Sequence, residues 1–247
     1  MSKGGMSNEQ NEQRPDGRPL RVRDLLLMAL TVSSGAVDAI AYLALGKVFT
    51  AFMTGNLVFL GLVTAGAGGP SVVSVVIALA VFAAGVFLAS RIVKPSKGTG
   101  VWPRRVTIAL GVAAVAQACF LAVWVAADGL PASGVANVLI GLSALAMGMQ
   151  TATVFSLGLP GVFTTAATAT LTVLMSDVAA WSQSATERRR LAGMLVSLFA
   201  GATAGSLLLV HARTYAPVLP LAVTSLVVAT AAITLRARDA TDKRERQ

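Results

Sequence analysis

The chain has 247 residues, of which 55% are hydrophobic and only 13% are charged, and its mean hydropathy is +0.73. Soluble globular domains carry roughly 25% charged residues because their surfaces face water, so this composition excludes a water-soluble globule. Collagen, coiled-coil and disordered chains are excluded as well, because apolar residues dominate without a strict triplet or heptad. We therefore predict a polytopic membrane protein.

The net charge of +9 and the pI near 10.8 could indicate a nucleic-acid binder. The basic residues, however, lie between apolar blocks and form no stripe interleaved with aromatic residues, so we expect no nucleic-acid partner. Cys119 is the only cysteine and His211 the only histidine, which leaves too few ligands for a disulfide, a zinc site or an iron–sulfur cluster. We accordingly expect no metal and no cofactor.

The first twenty residues are polar and lack the layout of a cleaved signal peptide, so the first apolar run is expected to stay as an anchor. A membrane-spanning helix needs about 20 mostly apolar residues. Six stretches meet this requirement: 25–46, 71–93, 106–127, 134–157, 191–211 and 216–235. Two more apolar runs, 48–67 and 161–181, are rich in Thr and Gly, so the chain crosses the membrane six or eight times.

The positions of the basic residues favour six crossings, because cytoplasmic loops collect Lys and Arg. Four clusters contain 18 of the 20 basic residues: Lys3, Arg14, Arg18, Arg21 and Arg23; Arg91, Lys94, Lys97, Arg104 and Arg105; Arg188, Arg189 and Arg190; and Arg236, Arg238, Lys243, Arg244 and Arg246. Only six crossings place all four on one side. We predict a multi-pass protein of the bacterial inner membrane with both termini in the cytoplasm, in which 48–67 and 161–181 are discontinuous or re-entrant segments.

These two segments also resemble each other. A shift of 114 residues superimposes Val48-Phe49-Thr50 on Val162-Phe163-Thr164 and gives eight identities over 43–60. With six crossings the two halves have opposite orientations, which indicates an inverted 3+3 repeat, a plan that recurs in transporters and channels.

The predicted organisation is a polar, flexible cytoplasmic N-terminus, a single all-α membrane domain and a basic cytoplasmic tail. Their bounds are 1–24, 25–236 and 237–247, with the two repeats at about 25–127 and 134–236.

Asp38 lies thirteen residues into the first helix, near the middle of the membrane, where an ionised carboxylate is costly and usually faces a cavity or a partner. Thr31, Ser34 and Tyr42 share its helical face and form a polar stripe with it. The functional interpretation is a proton or cation site. The structural interpretation is a protonated carboxyl group that hydrogen-bonds to a neighbouring helix.

Small polar residues mark both Thr/Gly-rich segments. In the first, Gly55 permits a bend or a close backbone approach. Its neighbours Thr54 and Asn56 can coordinate a ligand, satisfy freed backbone groups or cap a re-entrant turn. In the second, Thr168 and Thr170 take the corresponding places. The residues predicted to bind substrate are Asp38, Thr54, Gly55, Asn56, Gln150, Thr164, Thr168 and Thr170, although Gln150 serves equally well as an interhelical hydrogen-bonding group.

Gly193, Ser197, Gly201 and Gly205 recur every four residues on one helix, which predicts a ridge for close helix contact. No hydrolase triad, phosphate-binding loop or carboxylate cluster is visible in the sequence, so we do not expect an enzyme.

Two motifs resemble those of the YoaK family of bacterial membrane proteins. The first combines Gly35-Ala-Val-Asp38 with the Phe49 to Asn56 element that ends in Met-Thr-Gly-Asn, and the second combines Met147-Gly-Met-Gln150 with the Thr-rich stretch 164–171. The resemblance covers about residues 20 to 236 and implies a six-helix membrane protein of unknown function. The second half of the family often reads Thr-Gly-Thr, whereas this chain has Ala169 at the central position, which argues against a glycine-dependent bend there.

We consider two functions. The first is a transporter or channel-like permease for an unidentified small solute or ion, which is proton-coupled through Asp38. The alternative is a non-transporting membrane scaffold or accessory subunit. The expected partners are the lipid bilayer and the unknown solute, and a homo-oligomer is left open. The first function requires a hydrated central cavity, and the second requires that the polar groups be satisfied in a dry core.

Overall fold

The computed structural model describes residues 18–93, 102–159, 165, 167–180 and 184–235. Within these ranges the secondary structure is helical. The helices are α1 (Arg18–Ala44), α2 (Met53–Thr64), α3 (Val72–Val93), α4 (Arg104–Ala126), α5 (Ser133–Phe155), α6 (Ala167–Ala180), α7 (Ala185–His211) and α8 (Val218–Thr230). A 3₁₀ turn, Arg213–Tyr215, precedes α8, and a π-helical turn, Ala231–Leu235, follows it.

Six helical stretches are long and apolar enough to cross a membrane, which confirms the predicted all-α polytopic membrane fold. Five of them are α1, α3, α4, α5 and α7, and the sixth is Arg213–Thr234, in which the turns on both sides of α8 extend it to 22 residues. The other two, α2 and α6, have 12 and 14 residues. At 1.5 Å per residue they are about 18 and 21 Å long, too short for a hydrocarbon core of about 30 Å. The two Thr/Gly-rich segments therefore contain helices that do not cross the membrane by themselves.

The first helix starts earlier than the apolar pattern indicates. It begins at Arg18, so residues 18–24 of the predicted flexible terminus are helical. Leu and Arg are good helix formers, and they can extend a spanning helix beyond the apolar core. Residues 236–247, and with them the predicted basic tail, lie outside the described residues.

Two apolar clusters occupy opposite ends of the helix bundle. One contains the beginnings of α1 and α7 together with Leu174 of α6. The other contains the ends of these two long helices, with Phe59 and Leu60 of α2 packed against it. The two short helices therefore lie at opposite ends of the bundle. Between the ends, a third cluster is built mainly from small side chains such as Ala113, Ala116 and Ala146.

Glycines bring two pairs of long helices into backbone contact. In the α1–α7 pair, a Cβ on Gly201 would overlap the carbonyl of Val32, and a Cβ on Gly35 would overlap the carbonyl of Leu198. Gly205 faces the backbone of Ala36 in the same way. The predicted small-residue ridge on α7 thus contacts α1, and only glycine allows this approach.

The α3–α5 pair uses the same device. A Cβ on Gly148 would overlap the carbonyl of Phe82, and one on Gly85 would lie 3.2 Å from the Met149 nitrogen. Each pair therefore has glycines on both of its helices.

Candidate functional site

The chain between α1 and α2 turns back into the bundle and is held by Asp38. The backbone N–H groups of Thr50 and Ala51 both donate to Asp38 Oδ1, at 2.8 Å each. Hydrogen bonds from N–H groups to a carboxylate are short and stronger than neutral ones. Because Asp38 is six residues from the end of α1, these bonds place the beginning of α2 inside the bundle.

Asn56 holds the preceding residue of the same loop. Its Oδ1 accepts from the Phe49 N–H at 3.0 Å, and its Nδ2 donates to the Phe49 carbonyl at 2.6 Å. The Thr50 hydroxyl is also hydrogen-bonded to that of Ser143 on α5, at 2.9 Å. Residues 49–51 are thus connected to α1, α2 and α5. Their three backbone N–H groups and the carbonyls of Phe49 and Ala51 have partners, as non-helical backbone in a membrane requires.

Of the two roles open to Gly55, a bend or a close approach, the structure shows the close approach. Gly46 and Lys47 have positive φ angles of 93° and 62°, and the turn that ends α1 is made there. Gly55 is inside α2, where a Cβ would approach Phe52 Cδ1 to 2.7 Å. It is a contact residue beneath aromatic rings and not a hinge.

Asn56→Leu is expected to destabilise the protein by about 2–4 kcal/mol, because it leaves the buried N–H and carbonyl of Phe49 without partners. The measurement is the free energy of unfolding in mixed micelles. Thr64→Ala on the same helix is the matched control, because the Thr64 hydroxyl bonds only to carbonyls of its own helix and is exposed. Equal stabilities of the two variants would contradict the role given to Asn56.

A cavity of about 470 Å³ lies beside this loop. On one side it is lined by Ser34, Asp38 and Tyr42 of α1, and on the other by Thr165 and Thr168 from the second half of the chain. The Ser34 hydroxyl is 1% exposed and has no hydrogen-bond partner among the described residues. Three members of the predicted polar stripe therefore face one cavity, whereas the Thr31 hydroxyl donates to the carbonyl of Leu27 in its own helix.

A second cavity of about 450 Å³ adjoins the first and shares Phe52, Thr165 and Thr168 with it. Its wall also includes Thr54 of α2 and Ala169 of α6. Both residues lie in the first turn of their helices, so the beginnings of the two short helices meet at these cavities.

The residues predicted to bind substrate fall into two groups. Asp38, Thr54 and Thr168 line the two cavities. The cavity walls do not include Gly55, Asn56, Gln150 and Thr170, while Thr164 lies outside the described residues. Gln150 Nε2 donates to the Leu30 carbonyl on α1 at 3.1 Å. This is an interhelical hydrogen bond, the alternative role considered for Gln150.

The aromatic residues of the cavity wall were missed by the sequence reasoning. Phe49 and Phe52 line the larger cavity next to Asp38. Phe49 belongs to the motif that carries the family resemblance, and this was the one indication of a role. Within the described part of the chain no three His, Cys, Asp or Glu side chains are grouped as a metal site would need.

Comparisons with known proteins agree with this architecture. Residues 26–231 match a family model described as "Protein of unknown function (DUF1275)". The UPF0700 transmembrane protein YoaK of Bacillus subtilis (strain 168) is 38% identical over 156 residues, which are 63% of this chain and 67% of that protein. The comparison with solved structures found no match.

Proposed function

The chain belongs to the DUF1275 family of proteins of unknown function, and from the arrangement of its cavities we propose that it is a transporter or channel-like permease for a small solute or ion. The observation that carries this proposal is the meeting of two short helices, from opposite ends of the bundle, at cavities lined by Asp38, Thr54 and Thr168. Discontinuous helices whose ends meet near the middle of the membrane form the substrate sites of many transporters.

The polar groups support a hydrated site. Asp38 and Thr168 line a space of about 470 Å³, which is large enough for several waters. Burying a carboxylate away from water costs free energy, and water or a polar solute in the cavity would reduce that cost. In this proposal Asp38 binds the coupling proton or cation.

An inverted repeat accounts for the way the helices pair. If the second half begins at α5, then α1 corresponds to α5 and α3 to α7. The relation between the two halves therefore converts the α1–α7 pair into the α5–α3 pair. In each pair, glycines on both helices pack against carbonyl groups of the other helix. Together with the similarity of 43–60 to 157–174, this pairing supports a duplication with opposite orientations.

The second candidate function is a membrane scaffold, which is favoured by the hydrogen bonds of both Asn56 amide atoms and of Gln150 Nε2. The two candidates differ in whether water reaches the cavity. In a Cys119→Ala background, Thr168→Cys should react with a charged, membrane-impermeant methanethiosulfonate if the protein is a permease. Thr224→Cys on α8 is the control. Thr224 is 0% exposed, so a cysteine at this position should stay unlabelled. An unreactive Thr168→Cys would favour the scaffold.

Flux in proteoliposomes tests the transport function directly. Vesicles containing the protein should take up at least one member of a panel of inorganic ions, amino acids, organic acids and amines faster than protein-free vesicles do. The absence of uptake for every member, with correctly inserted protein, would reject the transport proposal.

The basic clusters support a location in the bacterial inner membrane with both termini in the cytoplasm. A reporter inserted near Lys97, or fused to either terminus, should give the cytoplasmic signal. A reporter near Ser133 should give the periplasmic one. A periplasmic Lys97 with cytoplasmic termini would contradict six crossings and the inverted repeat.

The positions of the basic residues also indicate which partner the chain contacts. The basic residues flank the apolar helices as in other membrane proteins, which favours the lipid bilayer over a nucleic acid as their partner. We propose further that the chain moves its solute without a chemical reaction, so that it is neither an enzyme nor dependent on a cofactor.

A further inference from the structure

Three aromatic rings form a connected wall of the larger cavity. Tyr42 stacks on Phe49 with ring centroids 5.1 Å apart, and Phe52 meets Phe49 edge-on at 5.3 Å. All three line the cavity together with Asp38. Phe49 also stacks on Phe59, with ring centroids 5.8 Å apart, so its faces are occupied by neighbouring rings. It holds Tyr42 and Phe52 in position, and the faces of these two rings that do not contact Phe49 form a prepared surface for a ligand.

The charge on the cavity wall is negative. Asp38 is its one charged side chain among the described residues, and no Lys, Arg or His is part of the wall. The Thr50 and Ala51 N–H groups donate to Oδ1 of this carboxylate, and the Phe52 N–H also interacts with the carboxyl group. A carboxylate has about four acceptor positions on its two oxygens, so Asp38 retains the capacity to bind a positively charged group.

A carboxylate beside aromatic faces matches one class of solute. The negative face of an aromatic ring attracts a substituted ammonium group within about 6 Å. A hydrated inorganic cation such as Mg²⁺ or Ca²⁺ would need several oxygen ligands, whereas one carboxylate and three rings dominate this part of the wall. An anion would meet the Asp38 charge without a basic side chain to offset it.

We propose that the solute of the permease is an organic cation, an amine or a quaternary ammonium compound, held by Asp38 and by the rings of Tyr42 and Phe52, which Phe49 keeps in position. This inference rests on the proposed transport function and names its substrate class. A volume of about 470 Å³ suits a small organic molecule. The Thr168 hydroxyl can bind a polar substituent, and the exposure of Leu43 and Phe52, at 55% and 40%, leaves the cavity open for entry.

The test is calorimetric binding to the purified full chain in detergent micelles with three probes of nearly equal shape. Choline carries the positive charge, 3,3-dimethylbutan-1-ol is its neutral carbon isostere, and 3,3-dimethylbutanoate is an anionic counterpart. We expect choline to bind at least 10-fold more tightly than the alcohol, and the anion to bind no better than the alcohol. Equal binding of choline and the alcohol, or tighter binding of the anion, would overturn the proposal, as would the failure of both choline and tetraethylammonium to bind.

Two variants connect the binding to the site. Phe52→Leu should weaken choline binding about 5-fold while changing binding of the neutral alcohol less, because only the cation uses the ring quadrupole. Phe199→Leu is the matched control, since Phe199 is 74% exposed on α7 and is not part of the cavity wall, and this variant should bind choline as the unaltered chain does. Asp38→Asn should remove the preference for choline over the alcohol. Unchanged selectivity in both site variants would contradict the assignment, provided that their thermal unfolding matches that of the Phe199 variant.

Flux measurements separate this inference from the proposed function. Uptake of an anion or a neutral solute, with no uptake of choline or tetraethylammonium, would uphold transport and reject the organic cation. Selective choline binding without flux of any solute would reject transport and retain the chemistry of the site.

Discussion

Replacing Asp38 by Asn should abolish coupled flux while leaving membrane insertion and unfolding nearly unchanged. Asn keeps a carbonyl oxygen at the place of Oδ1, which can still accept the N–H groups of Thr50 and Ala51. It carries no charge and exchanges no proton, so it loses the coupling function proposed for the carboxylate. The measurements are proteoliposome uptake driven by a pH gradient and, in parallel, thermal unfolding of the purified variant.

Asp38→Leu is the comparison that makes this result interpretable. Leu removes the acceptor of both backbone N–H groups, so we expect it to lower the free energy of unfolding by about 2–4 kcal/mol and to release residues 49–51 from α1. Full flux in the Asn variant at every pH would exclude Asp38 as the coupling residue. A loss of stability in Asn as large as that in Leu would instead indicate that the charge itself holds the loop.

Replacing Gly201 by Ala should destabilise the protein by about 1–3 kcal/mol, an overpacking penalty caused by a single methyl group. The new Cβ would lie 2.8 Å from the Cα of Val32, and backbone cannot move aside as a flexible side chain does. Helices α1 and α7 must therefore separate. The expected observation is a lower midpoint of thermal unfolding and a larger distance between spin labels on the two helices.

Gly111→Ala on α4 provides the matched control, because a Cβ there meets nothing within 4 Å. Ala favours the helix over Gly by up to about 1 kcal/mol, so this variant should be neutral or more stable. If Gly201→Ala behaved in the same way, the close contact between α1 and α7 would not be the source of stability that we infer.

The loop between α1 and α2 illustrates where sequence reasoning stopped. The pattern indicated that Asp38 needs a partner and that 48–67 is not an ordinary spanning helix, and both statements hold. The partner of Asp38 could not be predicted from the sequence. Thr50 and Ala51 contribute backbone N–H groups, which every residue except proline has, so no residue type marks the partner. The sequence also left two roles open for Gly55, a bend or a close approach. Gly46 and Gly55 can both adopt the backbone angles of a turn. Only the tertiary structure shows that Phe49 and Phe52 pack against Gly55, while the turn is made at Gly46.

The sequence by itself determined the membrane class, the six long helices and the presence of two exceptional short segments. These properties follow from the transfer of apolar residues from water to lipid, which depends on composition and length and needs no knowledge of neighbours. The tertiary structure decided which polar groups line a cavity and which are hydrogen-bonded elsewhere, so that Asp38 and Thr168 share one space while Asn56 and Gln150 do not. It also decided that three aromatic rings line the same cavity as the carboxylate. Such outcomes depend on distances between atoms far apart in the chain, which are set by helix packing and have no counterpart in the spacing of residues along the sequence.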